Sequence, residues 1–180
     1  MADGNAVAGR AGADARRRTG RAFLGWAAVY AVSQANIART LGPAAPKLLK
    51  IQTATSAAGY REVLESMTPR ELAGYRAHYP LDMVHPFLYA MALRAGARAL
   101  HARRPQPEPM RRFLMAAPVV SAGCDYVENV AGWYLIDHGE HVTDAGTRAV
   151  TAVSTLKWVL ALGELGHVLS GLAVARLRRH

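Results

Sequence analysis

Gly123-Cys124-Asp125-Tyr126-Val127-Glu128-Asn129 lies in the middle of an apolar run from Phe113 to Ile136. If that run is helical, Asp125, Glu128 and Asn129 share one face, because residues three and four apart stack on consecutive turns. Two carboxyls held together in an apolar place do not both ionise cheaply, so at least one is expected to keep its proton. What surrounds this polar stripe decides the fold and the function.

Three further stretches resemble the run from 113 to 136 in being almost free of charge. They are residues 22–38, 80–100 and 149–174. The chain has 180 residues, enough for one domain with a real core. Its mean hydropathy of +0.02 conceals this segregation of charge. A span of about 20 residues crosses roughly 30 Å of hydrocarbon, so all four stretches read as transmembrane helices. They are rich in Ala, Gly and Ser, which lets helices approach closely in lipid.

The net charge is +9. Arginines cluster at the ends of apolar segments, not along one face, which speaks against nucleic-acid binding and for a membrane topology. Arg16-Arg17-Arg18, the Pro-rich stretch from His101 to Arg112, and the end from Arg176 to His180 all belong on the cytoplasmic side by the positive-inside rule. That requires an even number of spans, and four are present. The expected fold is therefore all-α: an integral membrane four-helix bundle with cytoplasmic N- and C-termini. The Ala-, Gly- and Arg-rich composition suggests a bacterial cytoplasmic membrane.

A basic segment, residues 1–20, precedes the membrane domain of 21–180 and is too polar to fold alone, so it is expected to be disordered or helical only near its end. A signal peptide is the alternative for 22–38, but Trp26, Tyr30, Gln34 and Asn36 make a poor apolar core and no clean cleavage site follows. The loop from 42 to 78 carries Thr68-Pro69 with Glu71, a capping box with an N1 proline. It should hold two short amphipathic helices, on the membrane surface or capping the bundle. Pro86 is expected within the first two turns of the second span, and His101–Arg112 as a loop. Cys124 is the only cysteine, so there is no disulfide framework or zinc cluster, and it reads as a packing residue.

The topology fixes depth at about 1.5 Å per residue. Glu128 and Asp125 then sit roughly 14 and 18 Å below the outer end of their span, and Lys157 roughly 12 Å below the start of the next. Asp82 is near the outer mouth, as are Gln34 and Asn36. Ionisable groups at such depth point to function. A Lys157 ion pair that only pins helices is the plainer reading, but three acids exceed what one lysine needs. Trp26, Tyr30, Tyr89, Tyr126, Trp133 and Trp158 gather near this layer, and aromatic faces stabilise cations. Tyr79 and Tyr134 fit an interfacial belt. Glu164 and His167 have the spacing of one carboxylate di-iron motif, but the second motif is missing. His138, Glu140 and His141 read as a solvated loop. No metal or cofactor is expected.

Tyr79-Pro80-Leu81-Asp82 with Pro86 and Tyr89, then Asp125-Tyr126-Val127-Glu128-Asn129, then Leu156-Lys157-Trp158, resembles a group of small four-helix bacterial membrane proteins. That group is similar to the membrane-bound terpene cyclases of drimentine-type biosynthesis, which act on farnesylated indole diketopiperazines. The resemblance covers the second to fourth spans. It implies class II-type chemistry, in which an alkene or epoxide of a prenylated substrate is protonated and rings close through carbocations. Asp82, Asp125 and Glu128 would then be the acids; Glu128 or Asp125 would donate the proton, oriented by Asn129 and the partner carboxyl, and Lys157 would set which carboxyl stays ionised. Trp26, Tyr30, Tyr89, Tyr126, Trp133 and Trp158 would shield the cation. Alternatives are a sterol-type alkene isomerase, a small proton-coupled transporter or lipid-binding protein, and an assembly subunit without chemistry.

Overall fold

The computed structural model describes residues 2–178. Arg179 and His180, counted above in the C-terminal basic cluster, lie outside the described residues. Seven α-helices are present: α1 Ala2–Leu41, α2 Ala45–Gln52, α3 Ala57–Glu65, α4 Pro69–Asp82, α5 His85–His101, α6 Glu108–Asp137 and α7 Asp144–Leu177. Short 3-10 turns occupy Gly42–Ala44 and Gly139–His141. No strand occurs among the described residues, so the chain is all-α as expected.

The N-terminal basic segment departs from expectation. It is the first half of one helix that runs without interruption to Leu41. No proline interrupts Ala2–Leu41, and alanine and arginine are strong helix formers. The segment also has a tertiary anchor, since Arg103 after α5 donates to the Arg16 carbonyl at 3.2 Å. The helix ends at Gly42, whose φ of +50° is the left-handed conformation that favours glycine, and Pro43 prevents its resumption.

The second expected span is also divided. α4 ends at Asp82 and α5 begins at His85, so Pro86 sits at the start of a helix and not within one. A proline is tolerated there because its missing N–H would be unbonded anyway. α5 alone has 17 residues. The basic loop is shorter than expected, because α5 extends to His101 and α6 starts at Glu108.

α1 packs on α5 and α4, α5 on α6, and α6 on α7, with α7 returning to α5. Gly96 of α5 lets its two neighbours converge: a Cβ there would lie 2.9 Å from Val168 of α7 and 3.1 Å from Phe23 of α1. Gly74 of α4 meets the α1 backbone, where a Cβ would lie 2.7 Å from the Thr40 carbonyl oxygen.

The stretch from α2 to α4 folds over one end of these helices as a cap with its own core, including Ile51, Tyr60, Met67, Tyr75 and Tyr79. Its helices are three, against the two expected, and they cap the bundle. The capping box is formed: Thr68 N donates to Glu71 Oε2 at 2.8 Å, and Glu71 N to Thr68 Oγ1 at 3.3 Å. The Thr68 amide, with Lys47 Nζ at 2.9 Å, holds the Glu71 carboxyl down at about 2. Arg61 ties the cap to the α6–α7 connection through the Val142 carbonyl at 2.7 Å, and Thr151 of α7 donates to the Ala54 carbonyl at 2.5 Å.

Among the described residues, one helix is long and apolar enough to cross a membrane. It is α7, with a mean hydropathy of 1.5 and only 17% of the apolar window buried.

Candidate functional site: an acid layer at the end of an apolar cleft

α6 and α7 supply the centre of the site. Asp125 and Glu128 stand one turn apart on α6, and Lys157 reaches them from α7. All three are buried, at 4%, 7% and 5% exposure. Lys157 Nζ lies 3.1 Å from Asp125 Oδ1 and 3.0 and 2.9 Å from the two oxygens of Glu128. The α7 backbone at Lys157 is tied to α6, because Ser121 Oγ donates to the Lys157 main-chain carbonyl at 2.9 Å and lies 3.0 Å from the Tyr89 hydroxyl. The ammonium also stands 5.1 Å from the ring centroid of Trp158.

The two acids of α6 face different spaces. Asp125 lines a cavity of about 360 Å³ together with Asp82, Lys157, His85, Tyr30, Tyr89 and Trp158. Glu128 lines a separate crevice of about 20 Å³ beneath the cap, among Tyr60, Tyr75, His78 and Tyr79. Its remaining contact is Gln52 of α2, whose Nε2 donates to Oε1 at 2.5 Å. Burial pushes the Tyr60 hydroxyl up to about 12 and raises Tyr75 also, so both stay neutral around this crevice.

Beyond the acid layer the cavity is apolar. Ala92 and Leu93 of α5, Phe23 and Ala27 of α1, and Ala161, Leu162, Leu165 and Leu169 of α7 line it. From Lys157 to Leu169 is about 18 Å along α7. α1 and α7 flank this cleft with little direct contact, and Leu162 and Leu169 are half exposed at its edge. The cleft therefore opens sideways between α1 and α7, and Phe23 and Val168 converge over Gly96 at its far end.

The predicted residues divide accordingly. Asp82, Asp125, Tyr30, Tyr89, Lys157 and Trp158 meet in the cavity. Glu128 bonds to Lys157 but does not line it. Asn129 bonds to neither acid of α6: its Nδ2 donates to the Asp82 main-chain carbonyl at 3.0 Å, latching α6 to the end of α4. Trp26 packs edge-on against Phe87, and Trp133 stacks on Tyr79 at 6.3 Å between centroids. Neither of these lines the cavity, nor does Tyr126, because each falls on a different side of its helix. Tyr134, His138 and His141 form an exposed aromatic stack, with Tyr134 Oη 2.6 Å from His141 Nδ1.

Two residues escaped the sequence reading. Gln52 joins Glu128 to Trp158, whose Nε1 donates to Gln52 Oε1 at 3.4 Å. It sits in the stretch expected to form short amphipathic helices, where it follows Leu48, Leu49, Lys50 and Ile51 and carries no distinguishing mark. His85 is buried with its Nδ1 3.0 Å from Ser33 Oγ and its ring flanked by Tyr30 and Tyr89. The pair of imidazole and Pro86 at a helix start was the available signal. Among the described residues, no three of His, Cys, Asp and Glu come together as a metal-binding group. No protein-family model matches the chain, and no curated protein or solved structure shows significant similarity to it.

Proposed function

We propose that the protein is a multi-pass bundle of four membrane helices, α1, α5, α6 and α7, with both termini cytoplasmic, and that it is a proton-initiated terpene cyclase. The membrane part rests on an inside-out distribution of polarity. Leu24, Val32, Phe87, Val120, Val130 and Val159 project outward from the four helices, while Asp125, Glu128, Lys157 and Glu164 point inward. An apolar surface around polar contents suits lipid and not water.

The observation that carries the enzymatic part is the cavity itself, which has carboxyls at one end, aromatic rings beside them and an apolar cleft leading away. A prenyl chain enters sideways between α1 and α7, lies along Leu165 and Leu169, and brings its terminal alkene to Asp125 and Asp82. One lysine faces three carboxyls, and Glu128, with Gln52, takes the role of its partner. The surplus proton then belongs to the carboxyls that face the cavity. Transfer of that proton forms a C–H bond and leaves a tertiary cation, which the next alkene attacks to close a ring. Tyr30, Tyr89 and Trp158 present π faces to the cation. A final C–H bond breaks to give an alkene, and its proton returns to the site, with His85 the base available in the same cavity. Protons and electrons balance without a redox partner. The substrate is a prenylated small molecule, and the resemblance favours a farnesylated indole or diketopiperazine.

The test is incubation of the purified protein with a farnesylated cyclic dipeptide. The expected product is an isomer of unchanged mass with fewer alkenes and at least one new ring. Asp125→Asn and Asp82→Asn should each lower turnover by about a hundredfold or more, the range of a lost general acid. Undiminished turnover in both variants would overturn the assignment. Isomerisation without a new ring would identify the sterol-type chemistry instead.

A further inference from the structure

A second cavity, of about 340 Å³, lies at the other end of the bundle between α1, α5 and α6. Its walls are apolar, built from Ala97, Leu114 and Met115, and cationic or donor side chains stand around it: Arg98, His101 and Arg111. Arg98 is exposed and has no ion-pair partner among the described residues. Glu108 is the one acid alongside. It takes the Nε of Arg111 at 2.7 Å and of Arg112 at 2.8 Å, so one carboxylate faces two guanidiniums and positive charge remains. The Gln106 amide donates to His101 Nδ1 at 3.1 Å, which puts the proton of the neutral ring on Nε2 as a donor.

We infer that this cavity is a binding site for an anionic phospholipid of the cytoplasmic leaflet, its phosphate held by Arg98, Arg111 and His101 and its glycerol and first methylenes seated on Leu114 and Met115. Arginines that only set topology need no cavity, and a free phosphate needs no apolar wall. The conjunction of both, at the level where headgroups begin, selects an amphiphile. Basic pockets between helices on this side of a membrane take acidic headgroups, with each basic residue contributing about fivefold in affinity. The site lies away from the acid layer, so the inference rests on the membrane reading and not on cyclisation.

The experiment is native mass spectrometry of the protein in neutral detergent with phosphatidylglycerol, and with diacylglycerol of the same chains. Phosphatidylglycerol should bind at least tenfold tighter. Arg98→Gln alone should weaken it about fivefold and R98Q/R111Q about twenty-five-fold, while the equally basic control R176Q/R178Q changes it less than twofold. Equal loss in the control pair would reduce the effect to bulk electrostatics and overturn the site. So would equal binding of diacylglycerol, or displacement of the lipid by millimolar inorganic phosphate. Flotation with liposomes separates the two layers of the argument. A protein that fails to float refutes the membrane reading, and one that floats without selective binding refutes the lipid site alone.

Discussion

Replacing Lys157 with methionine tests how the acid layer is held together. At 2.9 Å from the Glu128 carboxylate, the ammonium gains about 6 kcal/mol by Coulomb's law with an effective dielectric of 20. Desolvation of three buried groups consumes most of that gain, so the pair is not a large net stabiliser. Removing only the cation is different, because it leaves Glu128 buried against Gln52 with no positive charge. Breaking a buried pair in this way costs about 3–5 kcal/mol. For a chain of this length that corresponds to a fall of roughly 6–20 °C in Tm. Glu128→Gln should cost less, about 1–3 kcal/mol, since Lys157 keeps Asp125 and the amide can still accept a bond from Gln52. The double variant K157M/E128Q removes both charges and should be more stable than K157M, with a coupling of about 2–3 kcal/mol between the two sites. Thermal and denaturant unfolding of the four proteins in one detergent closes the cycle. Additivity within about 0.5 kcal/mol would mean that Glu128 is not the lysine's structural partner, and the division of roles between Glu128 and Asp125 would fall with it.

Gly132 abuts the Tyr79 ring and hydroxyl, so Gly132→Ala overpacks a buried contact and should cost about 1–3 kcal/mol; an unchanged Tm would contradict this packing. Thr68→Ala removes the capping-box acceptor and should destabilise the cap by about 1 kcal/mol, read as faster amide exchange through α4 and not through α7. His78 is fully buried beside Tyr75, and desolvation lowers its pKa, so the folded cap binds fewer protons than the unfolded chain. Stability is therefore complete above about pH 6.5 and declines as pH falls below it; His78→Asn, which preserves a donor toward the Tyr75 carbonyl, should flatten that part of the pH–stability curve.

The helical class and the convergence of Asp125, Glu128 and Lys157 were legible because both depend on spacing. Three and four residues apart on α6 is one face whatever the tertiary structure, and a single lysine in an apolar helix must find those acids. The direction in which each acid looks was not legible. Glu128 turns to the cap and Asp125 to the cleft because α2 brings Gln52 over the bundle, a contact between residues 76 apart in the chain. Aromatic rings were harder still. These apolar helices carry large side chains on every side, so Trp133 and Trp26 leave no periodic mark that separates them from Tyr89. Polar residues carry that mark, since each must be satisfied inward, and Asp82, Asp125 and Lys157 do converge where Trp26, Tyr126 and Trp133 do not.

The cleft also constrains which atom of a substrate can react. Its carboxyls sit under the cap, where α2 and the end of α4 close the outer end, while its open edge runs along Leu162 to Leu169. Under the proposed function, a molecule entering from the bilayer meets the acids with the end that goes in first. For a prenylated compound with a bulky polar head, that end is the terminal isoprene, because the head is too large and too polar for the apolar part of the cleft. In the proposed reaction, protonation would then start at the tail and cyclisation proceed toward the head. Widening the route at Leu165 by alanine should accept longer prenyl chains, and blocking it with tryptophan should reject a farnesyl chain while a geranyl chain still reacts. Equal loss of both substrates in Leu165→Trp would place the chain elsewhere and remove the basis for tail-first entry.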